Sequence, residues 1–542
     1  MKKRNLLVFV LSTAMLSGVV ASCSDNQTSS STNAPKKIEK ITVGTNSKIE
    51  KATRDEYAYD MLASGVSEMP LISKNANGEY SPLLASYKTT DSKTWTYTIQ
   101  DGMKWSDGSE VTAKDVLFSL NYEATEEMPA FTTGDKKGSY SSYSLSDDNK
   151  SISLVLETPS VKALDAMTVL RVRPEHIYKD KTTDNISEAD ARVTCGPYKL
   201  ESFDKASNSI TYIANEYYPT QTNVNKIVYK LFSNEDVMYT ALTNGELDFI
   251  WNYSTGVSST YQSVLDKANN IKLESVASTN CPAMLTFNNK KGLMSDKNIR
   301  FAVSYALDYN SFKTYFGSPY AKTPNRSFAP SSLVGYKPTV QLETNLATAT
   351  NYMTDAGYAK GTKYWEKDGT TAQFALTVNS GKANHVGYAE FVKTQLEAFG
   401  IKVNLDAVDS VTYNEKTSHK FATEGKHQYG EITMEAAIMG YTSFGMSNLG
   451  GMYINGNHTV QGGAECYSDE LNTAMSDMDK SKTLEEYVTA AGKLQDYYAK
   501  ETPAIALYWD NIFYAHNVAI NNLVIDGTFG LNNINTWFKI SK

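Results

Sequence analysis

The chain has 542 residues, of which 21% are charged and 41% hydrophobic, and its formal net charge is −8. A chain of this length is too long for a single hydrophobic core and is expected to divide into domains. It has no long basic run, so the sequence does not favour a nucleic-acid-binding protein. After the amino terminus, no stretch of about 18 or more apolar residues occurs that would predict a membrane span.

The amino terminus is typical of a targeting segment. Met1–Ser22 begins with a short basic run and continues as a mostly apolar stretch, which is too short and too interrupted to span a bilayer comfortably. Its end and the next residue, V-A-S-C at positions 20–23, resemble a bacterial lipobox, which implies cleavage before Cys23 and attachment of diacylglycerol to its sulfur. The alternative is an ordinary signal peptide followed by an incidental cysteine. Ser24–Pro35 is a polar tract without apolar periodicity and is predicted to be a disordered tether.

Three further cysteines follow Cys23, namely Cys195, Cys281 and Cys466. An odd number leaves at least one thiol unpaired in an exported protein. A bridge between Cys195 and Cys281 is one alternative, because both lie at the ends of one predicted domain segment, but the sequence is interpreted as having no such bridge. None of the spacings is typical of a zinc site.

The first strands of the folded body are predicted from alternating polarity. Ile38–Thr45 alternates and ends at Asn46 and Ser47. In T-W-T-Y-T-I, at positions 94–99, large apolar or aromatic residues alternate with threonine, which predicts a strand with one buried face. After a turn, a second short strand is predicted at Met103–Trp105.

The residues that follow carry a family resemblance. Thr112–Asp115 has capping-box spacing before an apolar run and predicts a helix start. The runs D-G-M-K-W-S-D-G at 101–108 and V-T-A-K-D-V at 111–116 match, almost letter for letter, the signature of the large extracytoplasmic solute-binding proteins of peptide and nickel ABC importers. On these residues the chain is identified as a member of that family, family 5, of the oligopeptide-binding lipoprotein type. Because they form a folding hairpin, they indicate fold and class but not the ligand.

The resemblance implies a mixed α/β (α+β) fold with two lobes. It is the periplasmic-binding-protein-like fold of class II type, with three domains and a ligand cleft between the lobes. In the family's order the chain leaves the first domain and returns twice, so that two crossings form a hinge. The predicted division is a lipoprotein signal peptide at 1–22, a lipid-anchored disordered tether at 23–37, domain I of lobe 1 at 38–78, domain II at 79–194, domain I again at 195–284, domain III (lobe 2) at 285–504, and domain I a third time at 505–542.

The second passage through domain I is predicted to contain a hairpin and a capped helix. The hairpin pairs 198–203 with 210–213, and it follows a segment that resembles the family's own. Ser233 is the candidate N-cap of a helix over 237–242, and Gly245 is expected to end that helix.

Domain III is predicted to contain amphipathic helices and buried strands. Four apolar residues between 299 and 307 have helical spacing and predict a core stripe, whereas Arg300 and Asp308 are interpreted as interior ion-pair or capping residues. A helix over 388–399 is expected to end at Gly400 before an alternating strand. The remaining predicted elements are a buried strand at Glu431–Met439, a helix at Leu484–Tyr498 and a strand at Ala504–Tyr508.

The candidate site residues lie mostly at the predicted ends of strands. Asp248, at the start of a strand, is expected to bond neighbouring backbone amides, and Trp251 and Tyr253 after it either face the ligand or pack between the domains. The resemblance places the ligand against the strand ends of both lobes. The candidate ligand-binding residues are Asn46, Ser47, Trp251, Tyr253, Asn288, Met439, Gly440, Tyr441, Thr442, Ser443 and Trp509.

One departure from the family concerns the ligand's amino terminus. In the family's peptide binders, an extended peptide pairs its backbone with strand ends in the closed cleft, a form of β-augmentation. An aspartate just after the strand corresponding to Glu431–Met439 holds the peptide ammonium. Here the segment 440–447, G-Y-T-S-F-G-M-S, contains no carboxylate, and burying an ammonium without a counter-charge is costly. The departure weakens the case for an oligopeptide but not the case for a solute-binding protein.

The predicted function is that of a substrate-binding lipoprotein of an ABC importer, which captures peptides between its lobes and delivers them to the permease. The expected partners are a peptide, an ABC permease and ATPase complex, and the membrane through Cys23; a monomer is predicted on the outer face of the cell membrane. The alternatives are another solute (a nickel chelate, an oligosaccharide or a signalling peptide) or a surface receptor that does not transport. The sequence lacks G-x-S-x-G, H-E-x-x-H and P-loop motifs, and its six histidines are scattered, so no enzyme, metal site or cofactor is predicted.

Overall fold

The computed structural model describes most of the chain after Lys36. The described residues are 37–54, 56–74, 79–126, 140–182, 185–253, 256–278, 281–327, 329–417, 432–441, 446, 463–466, 468–525 and 529–542. Within these ranges, no helix has the length and the apolarity that crossing a bilayer requires.

Strands and helices are interspersed along the described chain, with several runs of consecutive strands. The strands are β1 (Ile38–Thr45), β2 (Ile72–Lys74), β3 (Tyr80–Pro82), β4 (Ala85–Lys88), β5 (Thr94–Ile99), β6 (Tyr140–Leu145), β7 (Ser151–Leu156), β8 (Tyr198–Asp204), β9 (Ser209–Ala214), β10 (Val224–Leu231), β11 (Phe249–Ile250), β12 (Ile271–Ala277), β13 (Cys281–Phe287), β14 (Ala359–Lys360), β15 (Trp365–Lys367), β16 (Thr370–Thr371), β17 (Gln373–Asn379), β18 (Lys402–Val408), β19 (Ala436–Tyr441), β20 (Ala504–Tyr508) and β21 (Asn511–Asn517). The helices are α1 (Tyr57–Ala63), α2 (Ala113–Glu126), α3 (Ala163–Val169), α4 (Glu175–Tyr178), α5 (Glu235–Thr243), α6 (Ser259–Leu265), α7 (Lys297–Ala306), α8 (Tyr309–Phe316), α9 (Leu346–Asp355), α10 (Ala383–Phe399), α11 (Ser410–Thr417), α12 (Asp469–Asp479), α13 (Leu484–Glu501) and α14 (Ile534–Lys539).

The seven-stranded sheet has the order β12-β21-β11-β1-β10-β9-β8. Its centre is parallel, because β1 pairs in parallel with both β10 and β11. The predicted strand at Ile38–Thr45 is confirmed as β1, and the predicted hairpin is confirmed as the antiparallel pair β8 and β9. Helix α14 closes the core of this sheet through Trp537, whose indole ring packs edge-on against Tyr198 with centroids 5.9 Å apart.

The helix after β10 differs from the prediction at its first residue. The predicted N-cap Ser233 is wrong, because Asn234 occupies that position with extended backbone and accepts a hydrogen bond from the amide of Val237 at 3.1 Å. Helix α5 then ends where predicted, since Gly245 adopts φ +77°, a conformation that suits glycine.

A four-stranded sheet, β4-β5-β7-β6, packs over a separate core. The alternation predicted for 94–99 is confirmed, with Trp95, Tyr97 and Ile99 all buried. The predicted strand at Met103–Trp105 is wrong. Among the described residues, Met103–Trp105 forms a single isolated bridge, from Lys104 to Glu110. A tight turn follows at once, and the Trp105 amide donates to the carbonyl of Ser109 at 2.8 Å. We call the part of the chain around these two sheets lobe 1.

The five-stranded sheet has the order β18-β17-β19-β13-β20 and is buried on both faces. Along β13 and β20, successive side chains alternate between two apolar clusters, as the period-two geometry of a strand requires. Helices α7, α9 and α10 pack in one cluster, and α12 and α13 pack in the other. The predicted core stripe between 299 and 307 is confirmed in α7 and just after it. We call this part of the chain lobe 2.

The strand predicted at Glu431–Met439 begins later than expected. Strand β19 starts at Ala436, and the preceding residues 432–435 are described but are not in a strand. Their carbonyl groups are bonded instead by Asn288, whose side-chain amide donates to Ile432 at 3.4 Å and Met434 at 3.1 Å. The hydrogen bonds of one asparagine distant in sequence thus replace the strand pairing that the apolar composition of this segment predicted.

Polar residues interpreted as structural are confirmed in that role. Asp308 is the N-cap of α8 and accepts from two amides of its first turn. A carboxylate oxygen of Asp248 accepts from the Thr42 amide at 2.7 Å, which ties β11 to β1. Cys195 and Cys466 are buried free thiols, so Cys195 forms no bridge, in agreement with the prediction. Burial raises the pKa of both thiols.

Candidate functional site

Strand directions bring the ends of several strands of lobe 1 to one edge. The parallel strands β1, β10 and β11 end there. Strand β21 runs antiparallel to β11 and begins at this edge, and β12 runs antiparallel to β21 and ends at it. Ligands of open α/β sheets bind outside the carboxyl ends of parallel strands, so this edge is the candidate ligand-binding edge of lobe 1.

Lobe 2 presents an equivalent edge. Strands β17, β18 and β19 are parallel, and β13 runs antiparallel to β19 and to β20. The carboxyl ends of β17, β18, β19 and β20 therefore meet the start of β13 at one edge.

Two short crossings join the two edges. The chain passes from β12 to β13 through residues 278–280, and from β20 to β21 through Trp509 and Asp510. Three Cα–Cα steps of about 3.8 Å separate Tyr508 from Asn511, so the two edges lie within about 11 Å of each other there. We call the space between the edges the cleft and these two connections the crossings. The predicted domain boundaries at 284/285 and 504/505 fall inside β13 and β20, close to the crossings.

The residues predicted at the end of β1 lie at the cleft edge of lobe 1. Asn46 is exposed; its amide donates to the side chain of Asn252 at 3.0 Å and its side-chain amide donates to Glu235 at 2.8 Å. Ser47 is partly buried, and its amide bonds the hydroxyl of Thr45 at 3.1 Å. Asn46 and Ser47 are thus held in place and partly accessible.

The aromatic residues after β11 lie mainly within lobe 1. Trp251 is 1% exposed, and its indole N–H donates to the carbonyl of Phe529 at 2.9 Å. Tyr253 is partly buried and packs its ring 6.3 Å from that of Phe529. Trp251 therefore packs inside the core of the predicted domain I and not between the domains, and ligand contact by Trp251 and Tyr253 stays a prediction.

The residues predicted around the end of β19 differ in their exposure. Met439 is 7% exposed and packs into a lobe 2 cluster, whereas Gly440 is exposed at the cleft edge. Tyr441 is described only by its backbone, which pairs with Cys281. Thr442 and Ser443 lie outside the described residues.

Asn288 does not join the other candidates. It follows the carboxyl end of β13, and because β13 is antiparallel to β19, this end lies at the opposite edge of the sheet. Its side chain is buried and bonded to the segment before β19.

A cavity of about 260 Å³ lies against both crossings. Its walls include Ala277 at the end of β12 with Ser278 of the first crossing, and Trp509 and Asp510 of the second crossing with Asn511 at the start of β21. The rest of the wall comes from described residues of the lobe 2 loop within 320–327 and 329–341. The loop is fastened to the second crossing by two backbone hydrogen bonds between Lys322 and Trp509, at 2.8 and 3.0 Å. We call this cavity of about 260 Å³ the hinge cavity. Of its residues, the sequence had indicated only Trp509, because the loop has no periodicity that would reveal its position.

A second contact joins the lobes away from the crossings. The amide of Val161 donates to the carbonyl of Ser481 at 2.8 Å, and the hydroxyl of Ser92 donates to the carbonyl of Lys482 at 2.8 Å. Lys162 and Asp479 form an ion pair beside them. The lobes therefore touch through lobe 1 residues of 79–194 as well as through the hinge.

One titratable group stands at the cleft edge of lobe 2. His385 lies in the first turn of α10, after β17, and burial together with the nearby charge of Lys382 lowers its pKa to about 4. Its Nδ1 atom is buried and has no hydrogen-bond partner in the described part of the chain. Next to it, the hydroxyls of Tyr388 and Tyr508 are bonded at 2.8 Å, which ties α10 to the end of β20.

We expect His385 to make the protein less stable as the pH falls from about 6.5 to 4. In this window the unfolded chain protonates His385 and the folded chain does not, so the stabilisation is complete above pH 6.5 and is lost on acidification. A pKa lowered from 6.5 to about 4 would correspond to about 3.4 kcal/mol in full, at ~1.4 kcal/mol per pH unit. Because the ring is partly exposed, we expect a total of only about 1–2 kcal/mol. Urea unfolding of wild type and His385→Gln at several pH values measures the difference. Equal pH dependence in both proteins would contradict it.

Comparison with known proteins agrees with this architecture. The family model described as bacterial extracellular solute-binding proteins, family 5, matches residues 79–429. The oligopeptide-binding protein OppA of Bacillus subtilis is 24% identical over 569 residues, covering 99% of this chain and 100% of that protein. OppA of Lactococcus lactis subsp. cremoris is 26% identical over 386 residues, which is 62% of this chain and 62% of that protein.

Solved structures share the fold over nearly the whole chain. The oligopeptide-binding protein AppA from Bacillus subtilis, in complex with a nonapeptide, superposes with a TM-score of 0.70 at 19% identity, covering 93% of this chain and 100% of that one. NikA from Brucella suis, in complex with Fe(III)-EDTA, superposes with a TM-score of 0.77 at 16% identity and the same coverage. The family model covers more than half of this chain, and the fold matches in both cases. The chain therefore belongs to the bacterial extracellular solute-binding proteins of family 5, with their mixed α/β, two-lobed, periplasmic-binding-protein-like fold.

Proposed function

We propose that this protein is the substrate-binding lipoprotein of an ABC importer, and that it captures oligopeptides in the cleft and delivers them to the permease. The observation that carries the proposal is the meeting of two carboxyl edges at two short crossings. Such an arrangement offers strand ends of both lobes to one extended ligand. The names of the relatives, oligopeptide-binding proteins rather than enzymes, support the substrate class and a role without catalysis.

The mechanism we propose is closure of the lobes on the ligand. The hinge consists of the two crossings, and domains I, II and III follow the division given above. A ligand drives closure only if it binds the closed form more tightly than the open form, and a shift from 1:99 to 99:1 requires about 5.5 kcal/mol of difference. Main-chain hydrogen bonds of about 0.5–1.5 kcal/mol each supply this energy with little regard to peptide sequence.

The peptide amino terminus is expected to have no carboxylate partner after β19. The segment 440–447 contains none, and an ammonium buried there would lack a counter-charge. We therefore propose that peptide binding depends on the backbone more than on a fixed amino terminus. Acetylated and free peptides of the same sequence are then expected to bind alike.

We further propose that Cys23, which lies outside the described residues, carries the lipid anchor. Two acyl chains give stable membrane attachment, whereas one gives only marginal binding. The tether that follows would leave the lobes free to close above the membrane.

The test is identification and rebinding of the natural ligand. Mass spectrometry of material released from the denatured protein is expected to find peptides of mixed sequence. Adding such peptides to stripped protein at about 100 times Kd is expected to stabilise it by about 2.7 kcal/mol and to compact it in X-ray scattering. Release of a metal chelate or a saccharide would favour another solute. No ligand, no thermal shift and one rigid shape would favour a receptor that does not transport.

A further inference from the structure

The contact between the lobes away from the crossings combines three kinds of interaction. Two hydrogen bonds to backbone carbonyls, each 2.8 Å long, lie beside one ion pair. The side chain of Val161 adds apolar contact, because it packs against the lobe 2 cluster that contains α12 and α13. We call this the interlobe contact; its residues are Ser92, Val161 and Lys162 of lobe 1 and Asp479, Ser481 and Lys482 of lobe 2.

The lobe 1 half of the interlobe contact is held in place by hydrogen bonds within lobe 1. Ser92 lies in the turn between β4 and β5 and has φ +53°, which is a left-handed conformation. Its carbonyl accepts from the indole of Trp95 at 3.0 Å and from the amide of Ser160 at 2.8 Å. The second of these bonds joins the two loops, so the positions of Ser92 and Val161 are fixed relative to each other.

The lobe 2 half is the connection between α12 and α13. Ser481 is 3% exposed, and its hydroxyl donates to the carbonyl of Asp477 at 2.7 Å. Thr483 is the N-cap of α13, and the carboxylate of Glu486 in the first turn accepts from the amide of Lys482 at 2.7 Å. The amides of Ser481 and Lys482 thus bond within lobe 2, whereas their carbonyls accept from lobe 1. Each lobe therefore keeps its half of the contact when the two halves separate.

The interlobe contact is remote from the crossings. The side chain of Gln495 in α13 donates to the carbonyl of Gly335 at 2.7 Å, in the loop that lines the hinge cavity. Leu484 begins the same helix roughly 16 Å away, at 1.5 Å per residue, and the contact lies just before it. Rotation of one lobe by about 20° moves a point at this radius by roughly 5 Å, which a hydrogen bond of about 3 Å cannot follow. Opening at the crossings therefore breaks the contact.

We propose that the interlobe contact is a latch of the closed form, which slows the release of a bound peptide because it must break before the lobes open. This inference rests on the proposed function and deepens it. The cleft edges belong to the seven-stranded and five-stranded sheets, so the latch gives the region around the four-stranded sheet a part in retention. Since the latch touches lobe rather than ligand, it favours closure equally for peptides of every sequence.

The experiment measures peptide release from the full chain by stopped-flow fluorescence. The probe is the most abundant peptide released from the denatured wild-type protein, resynthesised with a fluorophore. Lys162→Glu replaces the ion pair with two carboxylates, and we expect it to raise the dissociation rate constant about five- to tenfold. Asp479→Lys is expected to act alike. The double variant restores an ion pair of reversed polarity and is expected to return the rate constant to within about twofold of wild type.

A third variant tests the latch without a change of charge. Ser92→Ala removes one neutral hydrogen bond between the lobes and is expected to raise the dissociation rate constant about threefold. The matched controls act within one lobe. The hydroxyl of Ser141 donates to the carbonyl of Val155 at 3.1 Å, and Lys500 forms an ion pair with Glu470. Ser141→Ala and Lys500→Glu are therefore expected to release the peptide at the wild-type rate.

The outcomes separate the latch from the proposed function. A wild-type dissociation rate constant in both Lys162→Glu and Ser92→Ala would overturn the latch, and so would an increase that the double variant does not reverse. An equal increase in Lys500→Glu would show a general effect of charge and would also overturn it. A wild-type protein that releases and rebinds no peptide would instead overturn the proposed function.

Discussion

Arg300→Met is expected to destabilise the protein by about 3–5 kcal/mol. Arg300 is 4% exposed, and its guanidinium donates to the carbonyl of Glu501 at 2.9 Å, to that of Met294 at 2.9 Å and to that of Ser295 at 3.2 Å. Methionine keeps most of the length and none of the donors. The variant therefore leaves buried carbonyl groups unsatisfied, at about 1–3 kcal/mol each before relaxation. The free energy of unfolding in urea measures the loss.

The matched control is Lys297→Met, one helical turn earlier. Lys297 bonds the side chain of the same Glu501 at 3.1 Å, but it is 42% exposed, and exposed ion pairs contribute about 0–1 kcal/mol. Equal effects of the two variants would mean that Arg300 acts as a surface charge.

Gly65→Ala is expected to cost about 3 kcal/mol, because no space exists for one added carbon atom. The Cβ atom would overlap the backbone carbonyl of Asn532. Gly65 follows α1, its carbonyl accepts from the indole of Trp537 at 2.8 Å, and the side chain of Asn532 bonds the carbonyl of Leu62 at 3.0 Å. The carboxyl-terminal segment would have to withdraw and lose these bonds. Overpacking of this kind costs about 1–3 kcal/mol, and the lost hydrogen bonds add to it.

Gly387→Ala is the control for the same substitution at a site with space. Gly387 lies in α10, and an added Cβ would meet only Phe316, at an ordinary 3.6 Å. Alanine is favoured over glycine within a helix by about 0.5–1 kcal/mol, so this variant is expected to be neutral or slightly more stable. Unfolding of the two variants under one set of conditions gives the comparison. A Gly65→Ala protein as stable as wild type would contradict the packing of the carboxyl terminus against α1.

Local patterns were sufficient where neighbouring residues determine the structure. The alternation at 94–99 predicted β5 and its buried face, and the glycines at 245 and 400 marked helix ends that the structure contains. Prediction failed where a polar side chain, either adjacent or distant in sequence, formed the backbone hydrogen bonds that had been assigned to another residue or to a strand. Asn234 replaced Ser233 as a cap, and Asn288, more than a hundred residues away in sequence, bonded the carbonyls of the segment before β19.

The sequence by itself determined the family, the mixed α/β class and most of the elements, because these depend on short-range periodicity and on a hairpin signature that is contiguous in the chain. Only the tertiary structure decided which candidates share an edge. Strand direction separated Asn288 from Gly440 and Trp509, and packing buried Trp251 in lobe 1. The hinge cavity likewise arises only in three dimensions, because its walls come from segments far apart in the chain that meet where two strands cross between the lobes.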